Sequence, residues 1–350
     1  ISGSEDDKGT NLLLSITDKS NPDYARITIL AATNNPGVID VALKRPGRFK
    51  EIHITAPRTM EQRMEIIDTL IPELLTPLGI SIESSVTGWL ARTGVSLSGA
   101  EIAGILENAA RIAKKEKRGE VLLEDIAEGY FRLVGGPKRK EPFHESDQIH
   151  VMVHELGHAV IAHLVGSTIE FISCVAREKW LGVVGSNQPD EWTARHSFDS
   201  YIKECLVYLG GRAAEKVTFP IGQVTDGAGS DLQSTQRLAS QLIKLALVGK
   251  NFDLGFDGTE LTQGQRDLLN NLVTRCEEIA LKVICTLGRD WLIEHATQCV
   301  RESKELLGSD AHDYIARILE TREVELRTLI VNELTTLAES DLGPGAVTQN

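Results

Sequence analysis

Apolar residues recur at helical spacing along much of the chain. From about 147 to 165 they occupy nearly every side of the predicted helix, so we expect that helix to be buried. Further helices are predicted at about 200–217, after the loop that ends at Asp231, and in the segment beyond about 265. The pattern therefore indicates a mainly helical second half.

Residues 59–134 also have helical periodicity, with start signals that can be identified from the sequence. Thr59 with Gln62 and Ser98 with Glu101 each have the spacing of a capping box, in which two side chains satisfy free backbone N–H groups reciprocally. A last helix is expected at about 122–133. This segment is therefore predicted to be a small helical domain.

Strand patterns are few. Ile27–Ala32 is a continuous, largely β-branched apolar run, which predicts a buried strand of a parallel sheet. Shorter strands are expected at 168–175 and 181–186, next to the buried helix. The Gly-Gly-Pro-Lys-Arg-Lys segment at 135–140 has the composition of a linker, so a domain boundary is predicted there.

Composition narrows the functional classes. The 350 residues carry a net charge of −13, which argues against a general nucleic-acid binder. The five cysteines are scattered without a C-x-x-C pair, as expected for reduced thiols in a reducing compartment. The chain has no run of 18 apolar residues and begins with Ile1 in a polar stretch. We therefore expect it to be the middle of a longer protein.

The buried helix carries the motif H-E-x-x-H. His154 and His158 are four residues apart, so both imidazoles can face one point, as zinc ligands require. Glu155 lies one step round the helix, where it can accept a proton from a water molecule held at the metal. The alternative is a chance match in which ordinary hydrogen bonds satisfy both histidines.

A catalytic zinc needs a third protein ligand and an open position. The extended motif H-E-x-x-H-x-x-G-x-x-H fails, because Leu164 stands where its last histidine would be. Glu178 has a plausible offset, although its surroundings resemble a strand and a turn. Asp226 or Asp231, from a glycine-rich loop, are the other candidates. The residues alone leave these alternatives open.

Two arginines near the start of the chain suit a phosphate. Arg45 and Arg48 are separated by Pro-Gly and present two cations from a stiff turn, and guanidinium groups suit phosphate oxygens. Basic turns are more often simply solvated loops.

The string Ala31-Ala32-Thr33-Asn34, with Arg45-Pro46-Gly47-Arg48-Phe49, resembles the second region of homology of AAA ATPases. In that family Asn34 would be the sensor of the γ-phosphate region. Arg45 and Arg48 would be arginine fingers that act on the nucleotide of a neighbouring subunit. Ser98-Gly99-Ala100-Glu101 likewise resembles the signature of the helical AAA lid.

A second resemblance joins H-E-x-x-H to Gly210-Gly211-Arg212-Ala213-Ala214-Glu215 and to the T-x-G-A-x-x-D loop at 225–231. This order is similar to that of FtsH-type ATP-dependent zinc metalloproteases. The resemblance implies that Asp231 is the third zinc ligand. Glu215 matches the family by position, but we assign it no chemistry from the sequence.

The resemblance implies an α/β fold followed by mostly α structure. Its parts would be the C-terminal part of an AAA ATPase core, a helical lid, a mainly helical zinc metallopeptidase domain with a small β element, and a disordered tail. The expected boundaries are 1–58, 59–136, 137–341 and 342–350.

The resemblance also implies an ATP-dependent zinc metalloendopeptidase that degrades unfolded or membrane proteins. We expect Zn²⁺ and ATP/Mg²⁺ as cofactors, with the nucleotide bound largely by residues outside this chain. A homo- or hetero-hexamer, membrane association through an upstream segment, and catalytic domains in a reducing compartment are expected, without a nucleic-acid partner.

No G-x-x-x-x-G-K-[ST] phosphate loop occurs in the sequence. We interpret this as an upstream ATPase half that lies outside the chain, rather than as a degenerate ATPase. One alternative function is an inactive subunit that serves as a structural part of a larger membrane or protein-import complex. Another is a soluble zinc peptidase with a vestigial lid.

Overall fold

The structure is a computed structural model. It describes residues 5–17, 28–33, 35–50, 56–140, 143–187, 197–225, 227, 229–245, 261–302 and 304–343. The chain divides into two compact units, Ile1–Ala56 and Pro57–Asn350. Among the described helices, none combines the length and the apolar character that crossing a lipid bilayer requires.

The described residues of the first unit do not form the strand that the sequence predicts. Its described residues form helix α1 (Glu5–Ile16) and two short 3₁₀ helices, Pro36–Val38 and Val41–Lys44. Residues 28–33 have no regular structure, and Leu30 is 92% exposed, so the predicted buried strand at 27–32 is wrong for them. A parallel strand needs neighbouring strands and covering helices. The described residues of this unit contain no strand that could supply them. Ile27 and Asn34 lie outside the described residues.

The predicted helical segment opens the second unit. It contains the helices α2 (Met60–Leu74), α3 (Ser84–Thr93), α4 (Gly99–Lys115) and α5 (Leu123–Gly135), with two-residue strands β1 (Ser81–Ile82) and β2 (Glu120–Val121) paired in parallel. Both predicted capping boxes are confirmed. The Thr59 hydroxyl accepts from the Gln62 N–H at 3.2 Å, and the Ser98 hydroxyl accepts from the Glu101 N–H at 3.3 Å.

The rest of the second unit is mainly helical, as predicted. Its helices are α6 (Glu145–Leu164), α7 (Phe198–Thr218), α8 (Gly229–Lys244), α9 (Gln263–Leu287), α10 (Arg289–Glu302), α11 (Ser309–Leu319) and α12 (Glu323–Glu339). Strands β3 (Thr168–Ser173), β4 (Val183–Asn187) and β5 (Glu305–Leu307) form an antiparallel sheet in the order β4-β3-β5. The two predicted strands next to the buried helix are thereby confirmed, with ends that differ by one or two residues.

The sheet lies against both helical parts of this unit. Phe171 on β3 packs among the aromatic side chains of α3 and α5, and the centroid of its ring lies 4.9 Å from that of Phe131. Between the two parts, Gly136 has a φ of +83°, and a Cβ on Gly135 would lie 2.3 Å from the Trp180 ring. The predicted linker is therefore a tightly packed turn in this unit. Of the predicted tail at 342–350, Leu342 and Gly343 are described, and residues 344–350 lie outside the described part of the chain.

Candidate metal centre and peptide cleft

Helix α6 places the H-E-x-x-H motif in the interior because its apolar residues face several elements at once. Every residue from Met152 to Leu164 is buried. Helix α7 crosses α6 at two glycines, where a Cβ on Gly157 would lie 2.3 Å from the Gly210 carbonyl oxygen. A Cβ on Gly211 would lie 2.4 Å from His158 Nε2. Gly157, Gly210 and Gly211 therefore allow the α7 backbone to pack against the face of α6 that carries the histidines.

Three potential ligand atoms converge at this crossing. His154 Nε2 lies 2.9 Å from His158 Nε2, and Asp231 Oδ2 lies 3.3 Å and 3.4 Å from these two nitrogens. Ligand atoms of a tetrahedral zinc site, with bond lengths of about 2.0–2.1 Å, lie about 3.4 Å apart. In the described part of the chain, these are the residues whose donor groups cluster as a metal requires. The geometry therefore fits zinc.

The outer nitrogens of both imidazoles have acceptors that fix their orientation. His154 Nδ1 lies 2.6 Å from Glu215 Oε1, and His158 Nδ1 lies 2.7 Å from the Val207 carbonyl oxygen. Because a carbonyl only accepts, the His158 hydrogen sits on Nδ1, and the Nε2 lone pair of the neutral ring faces the cluster. Two lone pairs and a carboxylate that face one point without a cation would repel one another.

The electrostatics of the cluster favour positive charge. Burial alone lowers the pKa of His154, but hydrogen bonds to Asp231 and Glu215 raise it to about 10. Burial raises the pKa of Asp231, yet the two adjacent imidazoles hold it below its usual range. Both carboxylates thus stay ionised beside the imidazoles, and a metal cation would benefit from the same field.

Glu215 is a site residue that sequence reasoning left without a role. Its carboxylate accepts from His154 Nδ1, from the Thr225 N–H at 2.7 Å and from His150 Nε2 at 3.3 Å. Burial opposes ionisation, but these hydrogen bonds lower the pKa of Glu215 to about 2. Glu215 therefore joins α6, α7 and the loop that leads to Asp231. The sequence feature that marks Glu215 is its position about one helical turn after Gly210 and Gly211, the glycines at which α7 contacts α6.

Asp231 lies in the first turn of α8, and its carboxylate faces the imidazoles. The other candidates for a third ligand are elsewhere. Asp226 lies outside the described residues. The Glu178 side chain lies against the backbone of Gly136. His163, one residue before the last position of the longer motif, lies 3.3 Å from a Glu323 carboxylate oxygen on α12.

Glu155 is buried beside the cluster, with 7% of its surface exposed. Burial raises the pKa of Glu155, while His154 and His158 lower it by a smaller amount. A Cβ on Gly182 would lie 2.7 Å from Glu155 Oε1. Glu155 therefore lies next to the segment that leads into β4.

The cluster opens into a cleft of about 950 Å³ that runs along β4. His154, Glu155, His158 and Asp231 line it together with residues 180–187. β4 is an edge strand of its sheet in the described part of the chain. An edge strand beside such a cluster can pair with an extended polypeptide.

The two predicted arginine fingers lie in the first unit, in one turn. The Arg48 N–H donates to the Arg45 carbonyl at 3.1 Å, and Gly47 between them has a φ of +98°. The Arg48 guanidinium donates to the Ala42 carbonyl oxygen at 2.7 Å. Asn34, the predicted sensor, lies outside the described residues.

Comparison with known proteins gives one family match and many relatives. Residues 143–256 match the model of peptidase family M41. The chain is 28% identical to the ATP-dependent zinc metalloprotease FtsH of Thermotoga maritima, over 89% of the chain and 51% of that protein. It is 28% identical to the FtsH of Synechococcus sp., over 90% of the chain and 48% of that protein. It is 32% identical to the ATP-dependent zinc metalloprotease FtsH 2 of Thermoanaerobacter sp., over 80% of the chain and 54% of that protein.

The chain thus spans about half the length of these relatives. The family match covers α6 and α8, which carry the cluster, as well as α7 and the strands β3 and β4. Most of the chain is therefore similar to FtsH-type metalloproteases, and its residues 143–256 match the model of peptidase family M41.

Proposed function

We propose that this chain hydrolyses peptide bonds as a zinc metalloendopeptidase. The observation that carries the proposal is the convergence of His154 Nε2, His158 Nε2 and Asp231 Oδ2 within 3.4 Å of one another, with Glu155 beside them. We assign His154, His158 and Asp231 as the zinc ligands and Glu155 as the general base.

Zinc held by these residues would supply Lewis-acid polarisation and would lower the pKa of a water molecule to about 7. The carboxylate of Glu155 accepts a proton from the attacking water and later delivers it to the leaving amine. Glu215 and the Val207 carbonyl keep both imidazoles oriented during this cycle. Burial of Glu155 favours its protonated form after the first step.

We propose that the substrate binds as an extended segment alongside β4. Gly182 to Val184, with Leu181, form the part of this edge next to Glu155. Main-chain hydrogen bonds to an edge strand are independent of the substrate sequence, so they suit an enzyme that takes many unfolded polypeptides.

The coupling to ATP rests on the relatives, which are named ATP-dependent. We propose that Asn34 acts as a nucleotide sensor, and that Arg45 and Arg48 act as arginine fingers between subunits of a homo- or hetero-hexamer. Membrane association through another segment of the protein, a reducing compartment for the catalytic part, and unfolded or membrane proteins as substrates complete the proposal. We also propose that the chain divides into an ATPase core, a lid and a peptidase domain, with boundaries after residues 58 and 136.

The test is Glu155→Gln in the purified chain, with zinc content and casein cleavage measured in parallel. We expect one zinc-binding site to remain and cleavage to fall to background, because the amide cannot accept the proton. Glu145→Gln, in the exposed first turn of the same helix, is the matched control and should cleave as the parent does. Cleavage that survives Glu155→Gln would rule out the assigned base.

A further inference from the structure

The cleft continues well beyond the metal cluster. Beside β4 it runs from Gly182, which lies against Glu155, to Asn187, the last residue of β4. The strand contributes five residues, which span about 16 Å at roughly 3.3 Å per residue. A peptide that pairs with β4 therefore places a residue about five positions from the scissile bond next to Asn187.

The far end of β4 is connected to helix α3 through hydrogen bonds to Glu170 of β3. Asn187 Nδ2 donates to Glu170 Oε1 at 3.0 Å. The buried Glu170 carboxylate also accepts from Arg92 Nε at 2.7 Å and from Arg92 Nη2 at 3.2 Å. Trp89 Nε1 donates to the Glu170 carbonyl oxygen at 2.9 Å. Glu170 can reach α3 because the pairing of β3 with β4 shifts register at this residue.

These contacts hold the end of α3 at the wall of the cleft. Thr93 and Val95 line the same cleft as the metal cluster, although they precede it by about 60 residues in the chain. Val95 is 58% exposed. The backbone on either side of it is constrained, because a Cβ on Gly94 would lie 2.7 Å from the Leu90 carbonyl oxygen and Ser96 has a φ of 70°. Leu97 is buried and anchors the turn. Val95 is therefore an exposed apolar side chain on an ordered turn.

We propose that the turn from Thr93 to Val95 is a distal subsite of the peptide cleft. It takes an apolar side chain of the substrate about five residues from the scissile bond, on one side of that bond. This inference rests on the proposed peptidase function. It makes long extended segments better substrates than short peptides, and it makes Val95 a specificity-determining residue although it lies outside the matched peptidase domain.

Binding can be tested apart from chemistry in the zinc-loaded Glu155→Gln protein. The probes are fluorescent peptides: a short one that covers the scissile position, and two long ones with Leu five residues to either side. Serine at the same positions gives their matched partners. We expect one long Leu peptide to bind about tenfold more tightly than its serine partner.

Val95→Asp should remove that advantage and leave binding of the short peptide unchanged. Val95→Ser, which adds no charge, should weaken the same long peptide by a smaller factor. Val324→Asp, at a valine on α12 that is even more exposed than Val95, is the control and should change nothing. A Val95→Asp protein that binds all peptides as before, or that loses the short and long peptides equally, overturns the subsite.

The peptidase proposal has its own readout, cleavage by the parent protein. A parent that cleaves no peptide while the Glu155→Gln protein still discriminates the long peptides would refute the function and keep the subsite. A parent that cleaves long and short peptides with the same KM would refute the subsite and keep the function.

Discussion

At the scale of single residues, the proposed metal centre depends on a carboxylate that does not face the proposed metal position. Glu215 accepts hydrogen bonds from His154, His150 and the Thr225 backbone, so it fixes one imidazole and the start of the loop that carries Asp231. Such outer partners commonly change metal affinity by about 10–100-fold when they are removed.

We therefore expect Glu215→Gln to weaken zinc binding about tenfold or more, since an amide oxygen is a poorer acceptor for the His154 N–H. Competition with a chromophoric chelator measures the affinity. Glu277→Gln is the control. Glu277 on α9 pairs with Arg212 and Lys216, which lie on α7 like Glu215, but it is not among the residues that cluster at the proposed metal site. Equal zinc affinities in both variants would contradict this role for Glu215.

His163 provides a pH-dependent contribution to stability. Burial lowers its pKa, and the Glu323 carboxylate only partly opposes this effect. Below the unfolded-state value of about 6.5, the unfolded chain binds the proton more readily than the folded chain. The contribution of this residue therefore falls as the pH drops from about 7 towards the lowered pKa.

We expect the parent protein to lose more stability than His163→Gln when the pH is lowered from 7.5 to 5.5. Urea unfolding of both proteins at both values, with a chelator present, isolates this difference from zinc release. An equal loss in the two proteins would show that His163 titrates normally in the folded state.

At the scale of elements, the crossing of α6 and α7 decides where the histidines point. Gly157 and Gly210 let the two backbones touch, and Gly211 leaves room for the His158 ring. Because a close-packed core cannot absorb an added atom freely, these glycines have a packing role that outweighs their weak helix propensity.

Gly157→Ala should destabilise the protein by about 1–3 kcal/mol or more, because its Cβ would meet backbone and not a flexible side chain. It should also weaken zinc binding. Gly104→Ala, inside α4 with no atom within 4 Å of the new Cβ, should instead stabilise by about 0.5–1 kcal/mol. Thermal unfolding with zinc titration distinguishes the two, and a harmless Gly157→Ala would disprove the tight crossing.

At the scale of the whole molecule, the second unit joins its two helical parts through buried polar contacts as well as aromatic packing. The fully buried Arg177 guanidinium bonds Glu128 on α5 at 2.7 Å and lies over the Phe131 ring. Lys138 bonds the same carboxylate at 3.0 Å from a position that is 48% exposed. Arg177 and Lys138 therefore pair with the same carboxylate, but Arg177 is buried and Lys138 is exposed.

Arg177→Met should lower the free energy of unfolding by about 2–4 kcal/mol, because it leaves Glu128 and the Gly136 carbonyl without their buried partner. Lys138→Met should change it by about 0–1 kcal/mol, since an exposed ion pair is screened by solvent. Chemical unfolding followed by circular dichroism measures both. Similar losses in the two variants would indicate that burial of Arg177 has little importance.

The sequence by itself determined the local features of this protein. The capping residues Thr59 and Ser98, the buried helix and the four-residue spacing of His154 and His158 depend on neighbours within one turn, so periodicity reveals them. The family resemblance added Asp231 as a candidate ligand, and the structure places its carboxylate near both imidazoles.

Tertiary structure decided the remainder. The apolar run at 28–32 has strand composition, yet a strand forms only where other strands pair with it, which the run itself does not encode. Glu215 lies 61 residues from His154, and Arg92 lies 78 residues from Glu170. Such contacts depend on how helices cross and where a sheet ends, and no local pattern records them.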